Sequence, residues 1–505
     1  MRRIQHSLSA ALACAAVLPA QAWATNGYFS HGWGTASKAM AGVATALPQD
    51  SLVAATNPAG MAFVGTRFDL ALAFFSPDPR GYRARNDFAT QTVPATDGNT
   101  DFNVTLPASG FISPGRFDSK GDWYTIPSLG FNYQLNEANT IGVVLIANGG
   151  MQTDYRNAVW ENFAPAPDQR VVGEQPVFAT LPAGTPFEQG GRLLIRDGQP
   201  VPVTDPFPGS ENANPGGVLS ANGSTGVNLE QLFVKVPWSY RFGDGRQAVG
   251  ITPILAMQRF EAKGLQPFRA ASVHPDRVTN NGKDTSYGAG VQFGWYGEVS
   301  DRLALGLSYQ TKIWMSKFDD YKGLFANGGE FDIPAMFNAG LAYRVRPDLT
   351  IGIDYQRIFY DEISAISNSN DLDLTPCFGV QPKPSFCLGG NAGLGFGWQG
   401  QDVVKLGARW EQSERWTFFG GVSYNSELLK SRQQALFNVL TPATIRWHIT
   451  AGASVAATPR DRINLSLAYM PMERIDGSSP SITQTQTGSL YMEQKEIEIS
   501  WSRRF

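Results

Sequence analysis

The chain has 505 residues, 17% charged and 42% hydrophobic, with 53 glycines, three cysteines and a formal charge of −3. Charged residues fall well below the roughly 25% usual in soluble domains, yet no run of eighteen or more apolar residues occurs, which excludes a bundle of transmembrane helices. There is no basic stripe or polybasic tail, so nucleic acid is excluded as a partner.

Residues 1–24 read as a secretory signal: Arg2 and Arg3 head an apolar stretch over 8–18, and Ala22-Trp23-Ala24 is a small-x-small cleavage site. Its removal leaves a charge near −5 and takes Cys14 away; Ala11-Leu12-Ala13 is a poor lipid-attachment match, so no lipoprotein anchor is expected. Residues 25–61 come next and show no strand pattern. Residues 35–46 (TASKAMAGVATA) are small and helix-compatible, and Asp50 is placed to cap a second short helix over 51–56 that Asn57-Pro58 would stop.

A first strand over 66–76 then leads into a repeating unit of strand, short polar turn, strand and long loop. The short turns fall at 136–140, 242–247, 298–302, 345–348, 411–415 and 457–462, each rich in Asn, Asp, Arg, Gly or Pro. The long connections are 77–123, 156–228, 263–284, 319–331, 364–399, 429–443 and 474–488. Leu303, Leu305, Leu307, Tyr309, Ile313 and Met315 share one face of a strand, opposite Gly306, Ser308, Gln310 and Lys312. Ile445, Trp447, Ile449 and Val455 likewise oppose Arg446, His448 and Thr450, and Ile463, Leu465, Leu467 and Tyr469 oppose Asn464 and Ser466. Gly, Ser, Asn and charge on the second face of strand after strand suit a polar lumen behind a lipid-facing wall. Aromatics near strand ends (Phe74, Phe75, Trp238, Tyr240, Trp295, Tyr296, Trp410, Trp416) suit interfacial girdles. The last strand sends Ile497, Ile499, Trp501 and Phe505 one way and Glu496, Glu498 and Ser500 the other.

One strand, six hairpins and a terminal strand predict an all-β, fourteen-stranded antiparallel transmembrane barrel over 62–505, even-numbered and with both ends on the short-turn side. Such a barrel leaves no open sheet edge and can function as a monomer in outer-membrane lipid. It also has room for a plug. Residues 25–61 are therefore either a free periplasmic arm or a partly helical hatch inside the lumen, and their small residues favour the hatch. Cys377 and Cys387 lie in an exported loop, where a disulfide is favoured over two free thiols.

The run Asn26-Gly27-Tyr28-Phe29-Ser30-His31-Gly32-Trp33-Gly34, then Ser37-Lys38-Ala39-Met40-Ala41-Gly42 and Asn57-Pro58-Ala59, resembles the hatch of the FadL/TodX outer-membrane transporters. The resemblance spans the mature chain and implies outer-membrane transport of hydrophobic molecules, long-chain fatty acids or aromatic hydrocarbons. It implies capture by loops, gating at a hatch that includes Asn57, Pro58 and Ala59, and sideways exit at a kinked third strand. The third strand, 141–155, is interrupted by Asn148-Gly149-Gly150; glycines there serve a kink or merely barrel curvature. Val143, Val144, Leu145 and Ile146 before it are apolar on both faces, as a hydrophobic ligand would favour and a water-filled porin would not. Asn57 has an alternative role as a plain helix stop, and His31 is expected as a packed hatch residue.

A fatty-acid carboxylate in an apolar lumen needs a cation. Lys312, Lys405, Arg409, Arg446 and His448 are the inward candidates, and their alternative is pairing with lumen acids such as Asp354, Glu496 and Glu498. Fatty acid is the favoured substrate, with aromatic hydrocarbon uptake or a general diffusion porin as alternatives. An enzyme is not expected. Beyond the signal the histidines are His31, His274 and His448, no Gly-x-Ser-x-Gly is present, and although His448 faces the lumen with Ser454 or Ser466 as a serine within range, nothing fixes a third group to orient the base. No His/Cys spacing suits a metal, and no cofactor is expected.

Overall fold

The computed structural model describes residues 25–85, 91–96, 101–106, 112–121, 123–156, 159–160, 177–180, 192–196, 199–200, 224–370, 377, 383–478 and 486–505. The signal segment, 1–24, lies outside the described residues.

Fourteen strands close into one antiparallel barrel. They are β1 (Arg67–Ser76, prolonged by Arg80–Arg85), β2 (Gly115–Asp118 leading into Tyr124–Gln134), β3 (Asn139–Tyr155), β4 (Thr225–Lys235 and Trp238–Phe242) and β5 (Gln247–Lys263). Next come β6 (Asp284–Glu298), β7 (Leu303–Gln310 and Trp314–Met315), β8 (Met336–Arg346), β9 (Leu349–Ile358) and β10 (Gln401–Trp410). The last are β11 (Trp416–Asn425), β12 (Trp447–Ala456), β13 (Asp461–Ser478) and β14 (Thr487–Arg504). Each pairs with its sequence neighbours, and β1 closes the ring on β14 with Arg67 opposite Arg504, so both ends sit at the short-turn rim. All six short turns lie where the sequence places them. Among the described residues no helix is long and apolar enough to cross a membrane.

Alternation sets the two faces. Leu70, Leu72, Ile353, Val404, Leu406, Leu465, Ile499 and Trp501 are exposed outward, while Asp69, Asp354, Lys405, His448, Glu496 and Glu498 are buried inward. The aromatic pairs divide by the same rule: Phe74 points out and Phe75 in, and Tyr296 is buried facing the lumen rather than standing in a girdle. β7 departs from the expected face. Gln310 opposes Gln292 but Trp314 opposes Ala289, so one extra residue bulges at 311–313 and flips the side chains beyond it. Trp314 therefore points out while Ile313 and Met315 are buried.

Three connections differ from expectation. Both described ends of the loop expected over 474–488, residues 474–478 and 487–488, are strand, because β13 and β14 run on as an 18-residue hairpin arm each and pair up to Ser478–Thr487. Within the two longest connections, the backbones of Gln91–Thr96, Asp101–Leu106, Val177–Thr180, Arg192–Arg196 and Gln199–Pro200 form a separate small sheet.

Residues 25–64 are mostly buried and bond to inward-facing wall residues such as Asp354, Thr450 and Glu498. The helix expected over 35–46 shrinks to one turn, α1 (Thr35–Lys38), because Ala41 and Gly42 both adopt positive φ (57° and 89°). The wall competes for the backbone there: Ala41 N donates to Thr450 Oγ1 at 2.8 Å, and a Cβ on Gly42 would meet His31 O at 1.9 Å. Two 3-10 helices follow, Ser51–Ala55 and Pro58–Phe63, capped by the side chains of Asp50 and Asn57.

Placing a charge on the lipid face should be costly in a depth-dependent way. Ile353→Lys, midway along β9, should lower stability by about 2–4 kcal/mol, read as the urea midpoint in phospholipid vesicles. Glu137→Lys, in an exposed short turn, should stay within about 0.5 kcal/mol.

Candidate functional site: the hatch, the third strand and three cavities

The barrel wall loosens at one place. The β2–β3 ladder stops at Ser128 opposite Ile146, although β2 continues its pairing with β1 down to Tyr124, and the two meet again where Lys120 N donates to Asp154 O at 2.9 Å. Beyond Ile146 the β3 edge turns inward. Its register with β4 shifts because Gln231 opposes Gly149 while Leu232 opposes Ala147, which leaves Asn148 as the inserted residue of a bulge. Asn148 Nδ2 donates to Gln231 Oε1 at 2.9 Å.

The hatch takes the edge that β2 leaves. Ser30 N donates to Asn148 O and Gly150 N to Tyr28 O, both at 3.0 Å, with Phe29 bridged to Gly149. A side chain at 149 would put its Cβ 1.7 Å from Tyr28 O, so only glycine admits this approach. An aromatic cluster holds the strap in place. Tyr28 stacks edge-on against Tyr360 at 5.1 Å and Tyr360 against Trp398 at 5.4 Å. Tyr360 Oη accepts from Tyr28 N at 3.1 Å and donates to Asn26 O. Burial pushes the Tyr360 phenol well above its usual pKa, which keeps it a donor.

The rest of the hatch is tied by buried polar groups. Lys38 pairs with Glu496 at 3.0 Å and Glu498 at 2.7 Å. Asp354 accepts from Ala44 N, Thr45 N and Thr45 Oγ1 at 2.7–2.9 Å. Asp69 receives Ser51 N and an ion pair from Arg67. Asn57 is fully buried: it caps Ala59 N and also donates to Thr45 O at 2.8 Å and to Trp295 O at 2.9 Å on β6. It is both helix cap and clip to the wall. Pro58 packs beside Gly294 and Gly250 of the wall.

The five candidate cations are dispersed. Lys405 donates to His31 O at 2.9 Å, and His448 accepts or donates to Ser423 Oγ through Nδ1 at 2.9 Å while its ring stacks on His31. Lys312 lies in the β7 bulge and pairs with Asp332, and Arg409 pairs with Glu411 near the short-turn rim. Arg446 is not a lumen group: it precedes β12 and lies over the outward-facing Tyr424. Ser423, not Ser454 or Ser466, is the serine that meets His448. The lumen acids Asp354, Glu496 and Glu498 serve the hatch rather than a charge ladder. Cys377 and Cys387 form a disulfide with Cα atoms 5.4 Å apart.

Three cavities follow one another past the bulge. The outermost lies under the long loops and is lined by Trp160, Phe260, Phe268, Phe396, Phe437 and Leu440. The second shares Leu440 and reaches Trp398, Phe75, Arg80, Gly27 and Gly150. The third, the smallest of the three, is bounded by Ser30, Trp33, Lys38, Ile126, Ser128 and Ala147, where the pairing of β2 and β3 stops. Gly27 and Gly150 face the second cavity and Ser30 and Ala147 the third, so the strap on β3 is the partition between them. Sequence reasoning missed Tyr360, Trp398 and Leu440, which come from distant loops. The available signal was Tyr28-Phe29, large aromatics in a segment otherwise built of small residues.

Removing Lys38 tests how firmly the hatch body is held. Lys38→Met strands two buried carboxylates and should cost about 3–5 kcal/mol, read as the thermal midpoint. Adding Glu496→Gln and Glu498→Gln should recover most of the loss.

No protein-family model matches the chain, and no curated protein matches it. Solved structures do. The Pseudomonas putida toluene transporter TodX is 16% identical, covering 95% of this chain and 100% of its own, with a TM-score of 0.56. A Pseudomonas aeruginosa FadL homologue is 13% identical over 95% and 100%, with a TM-score of 0.58. The Ralstonia pickettii toluene transporter TbuX is 15% identical over 94% and 99%, with a TM-score of 0.50. The chain has the fold of the FadL/TodX outer-membrane transporters.

Proposed function

We propose that this protein carries hydrophobic molecules inward across the outer membrane, from the loop cavity to a lateral exit between β2 and β3. The observation that carries the reading is the end of β2–β3 pairing at Ser128 and Ile146, with the hatch strap on the vacated edge. A ligand in the second cavity touches Trp398, which leans on Tyr360 and through it on Tyr28, so occupancy pushes on the partition. Release of residues 28–30 joins the second and third cavities, and the third opens at the seam. The hatch body, with Asn57, Pro58 and Ala59, stays on the wall and anchors the moving strap.

An uncharged hydrocarbon fits best. No charged side chain lines the outermost cavity, and the five candidate cations hold protein partners away from it. The toluene transporters that share the fold support the same choice. A long-chain fatty acid is the second reading, favoured by Arg80, whose guanidinium lines the second cavity while donating to Ser119 Oγ and Lys120 O.

The test is uptake of labelled toluene and labelled oleate by cells lacking their own channels. Wild type should raise toluene uptake, and Ala147→Trp, which sets a large ring at the seam beside Ser30 and Ser128, should cut it at least tenfold at equal folded abundance. Equal uptake by Ala147→Trp would sink the seam route. Oleate uptake lost in Arg80→Gln would move the substrate to fatty acids, and free passage of ions would establish a porin.

A further inference from the structure

The outward face above the lipid-facing band carries a patch that transport does not use. Lys495 on β14 is ten residues from Phe505. At about 3.4 Å per residue and a tilt of about 40°, it stands about 25 Å across the membrane, where the apolar band ends. Above it the outward positions change character. In register across the wall stand Arg474 on β13, the buried Tyr491 on β14, Gly81 on β1 and Asp118 on β2; the next row holds Asp476, the buried Ser489, Arg83 and Arg116. Arg85 follows one row higher, opposite Thr487.

Arg83, Arg85 and Arg474 are exposed, and among the described residues none has a carboxylate within ion-pair distance. Arg116 is 62% exposed, reaches Asp118 at 3.5 Å and lies over the Tyr491 ring at 5.2 Å. Lys495 is neutralised by Glu493 at 2.7 Å. Arg83 and Arg116 stand directly opposite on adjacent strands, an arrangement of like charges that is unfavourable unless an anion lies between them. Among the described residues the acids on this face are Asp118, Asp476 and Glu493, with Asp78 also acting on Lys495, so five cations outnumber four acids by one. The excess lies beside the hydrocarbon boundary on the long-loop side.

We propose that Arg83, Arg85 and Arg116, with Arg474 at the edge, bind the phosphates of a phosphorylated glycolipid in the outer leaflet. Guanidinium forks match phosphate in bidentate geometry. The row spacing, about 5 Å between strands and about 7 Å along them, lets two phosphates on one headgroup be held together, while the acyl chains lie down the apolar wall below. The bound lipid relieves the Arg83–Arg116 repulsion and fixes the extended β1–β2 arm that covers Tyr82.

The experiment uses the purified full-length barrel in dodecylmaltoside. It is incubated with bis-phosphorylated lipid A, dephosphorylated lipid A or phosphatidylglycerol, and retained lipid is counted by native mass spectrometry. The wild type should retain the phosphorylated lipid at least tenfold better than either comparison lipid. The triple variant Arg83→Gln/Arg85→Gln/Arg116→Gln should lose at least tenfold, with its heat-modifiable mobility intact. Arg415→Gln/Arg460→Gln, at the short-turn rim, should retain it fully. Equal retention by the triple variant, or equal retention of dephosphorylated lipid or phosphatidylglycerol, overturns the proposal.

Discussion

Two main-chain hydrogen bonds between the hatch strap and the bulged edge of β3 organise the interior of this protein. A strand that leaves its neighbour in a barrel exposes donors and acceptors that lipid cannot satisfy. Here Tyr28 O and Ser30 N satisfy the edge from within. On the proposed reading, closure of the wall and closure of the lumen are one interaction. The bulge at Asn148 and the bare backbone of Gly149 are what allow the strap to come close enough.

The distribution of polar ties gives the hatch two parts of different firmness. Beyond α1 it is held by buried carboxylates and amides, where loss of one partner leaves a costly unpaired group. Ahead of it, Thr25, Asn26 and His31 are tied to the wall by Asn425, Gln356 and Lys405, and only the strap 28–30 between them is held by backbone bonds, ring contacts and one tyrosine hydroxyl. A hydrophobic ligand can compete for ring contacts but offers nothing to Asp354, Asp69 or the Lys38 pair. On the proposed route, movement is thus confined to residues 28–30 while the segments on either side stay on the wall.

Much of this architecture was legible in the sequence because period-2 alternation and turn chemistry are local. The six short turns, the strand count and the outward face of Ile497, Ile499 and Trp501 needed no tertiary information. The β7 bulge escaped because an inserted residue at 311–313 leaves no compositional mark, so Ile313 and Met315 kept the apparent phase. The helix over 35–46 was overestimated because propensity cannot see Thr450 on the wall competing for Ala41. Asn148-Gly149-Gly150 was visible as an interruption, but its partner, the strap 120 residues earlier, was not. Charged lumen residues were equally visible; their use for the hatch rather than for a ligand depends on Lys38 and Thr45 folding inward.

Amide hydrogen exchange at Ser30 and Gly150 tests the partition most directly, with and without saturating toluene on the full-length protein in bilayers. If the strap releases β3 during transport, both amides exchange at least tenfold faster with toluene, while Ala44 and Thr45, bound to Asp354, stay unchanged. Unaltered protection at Ser30 and Gly150 in a protein that demonstrably passes toluene would contradict a gate at this pairing.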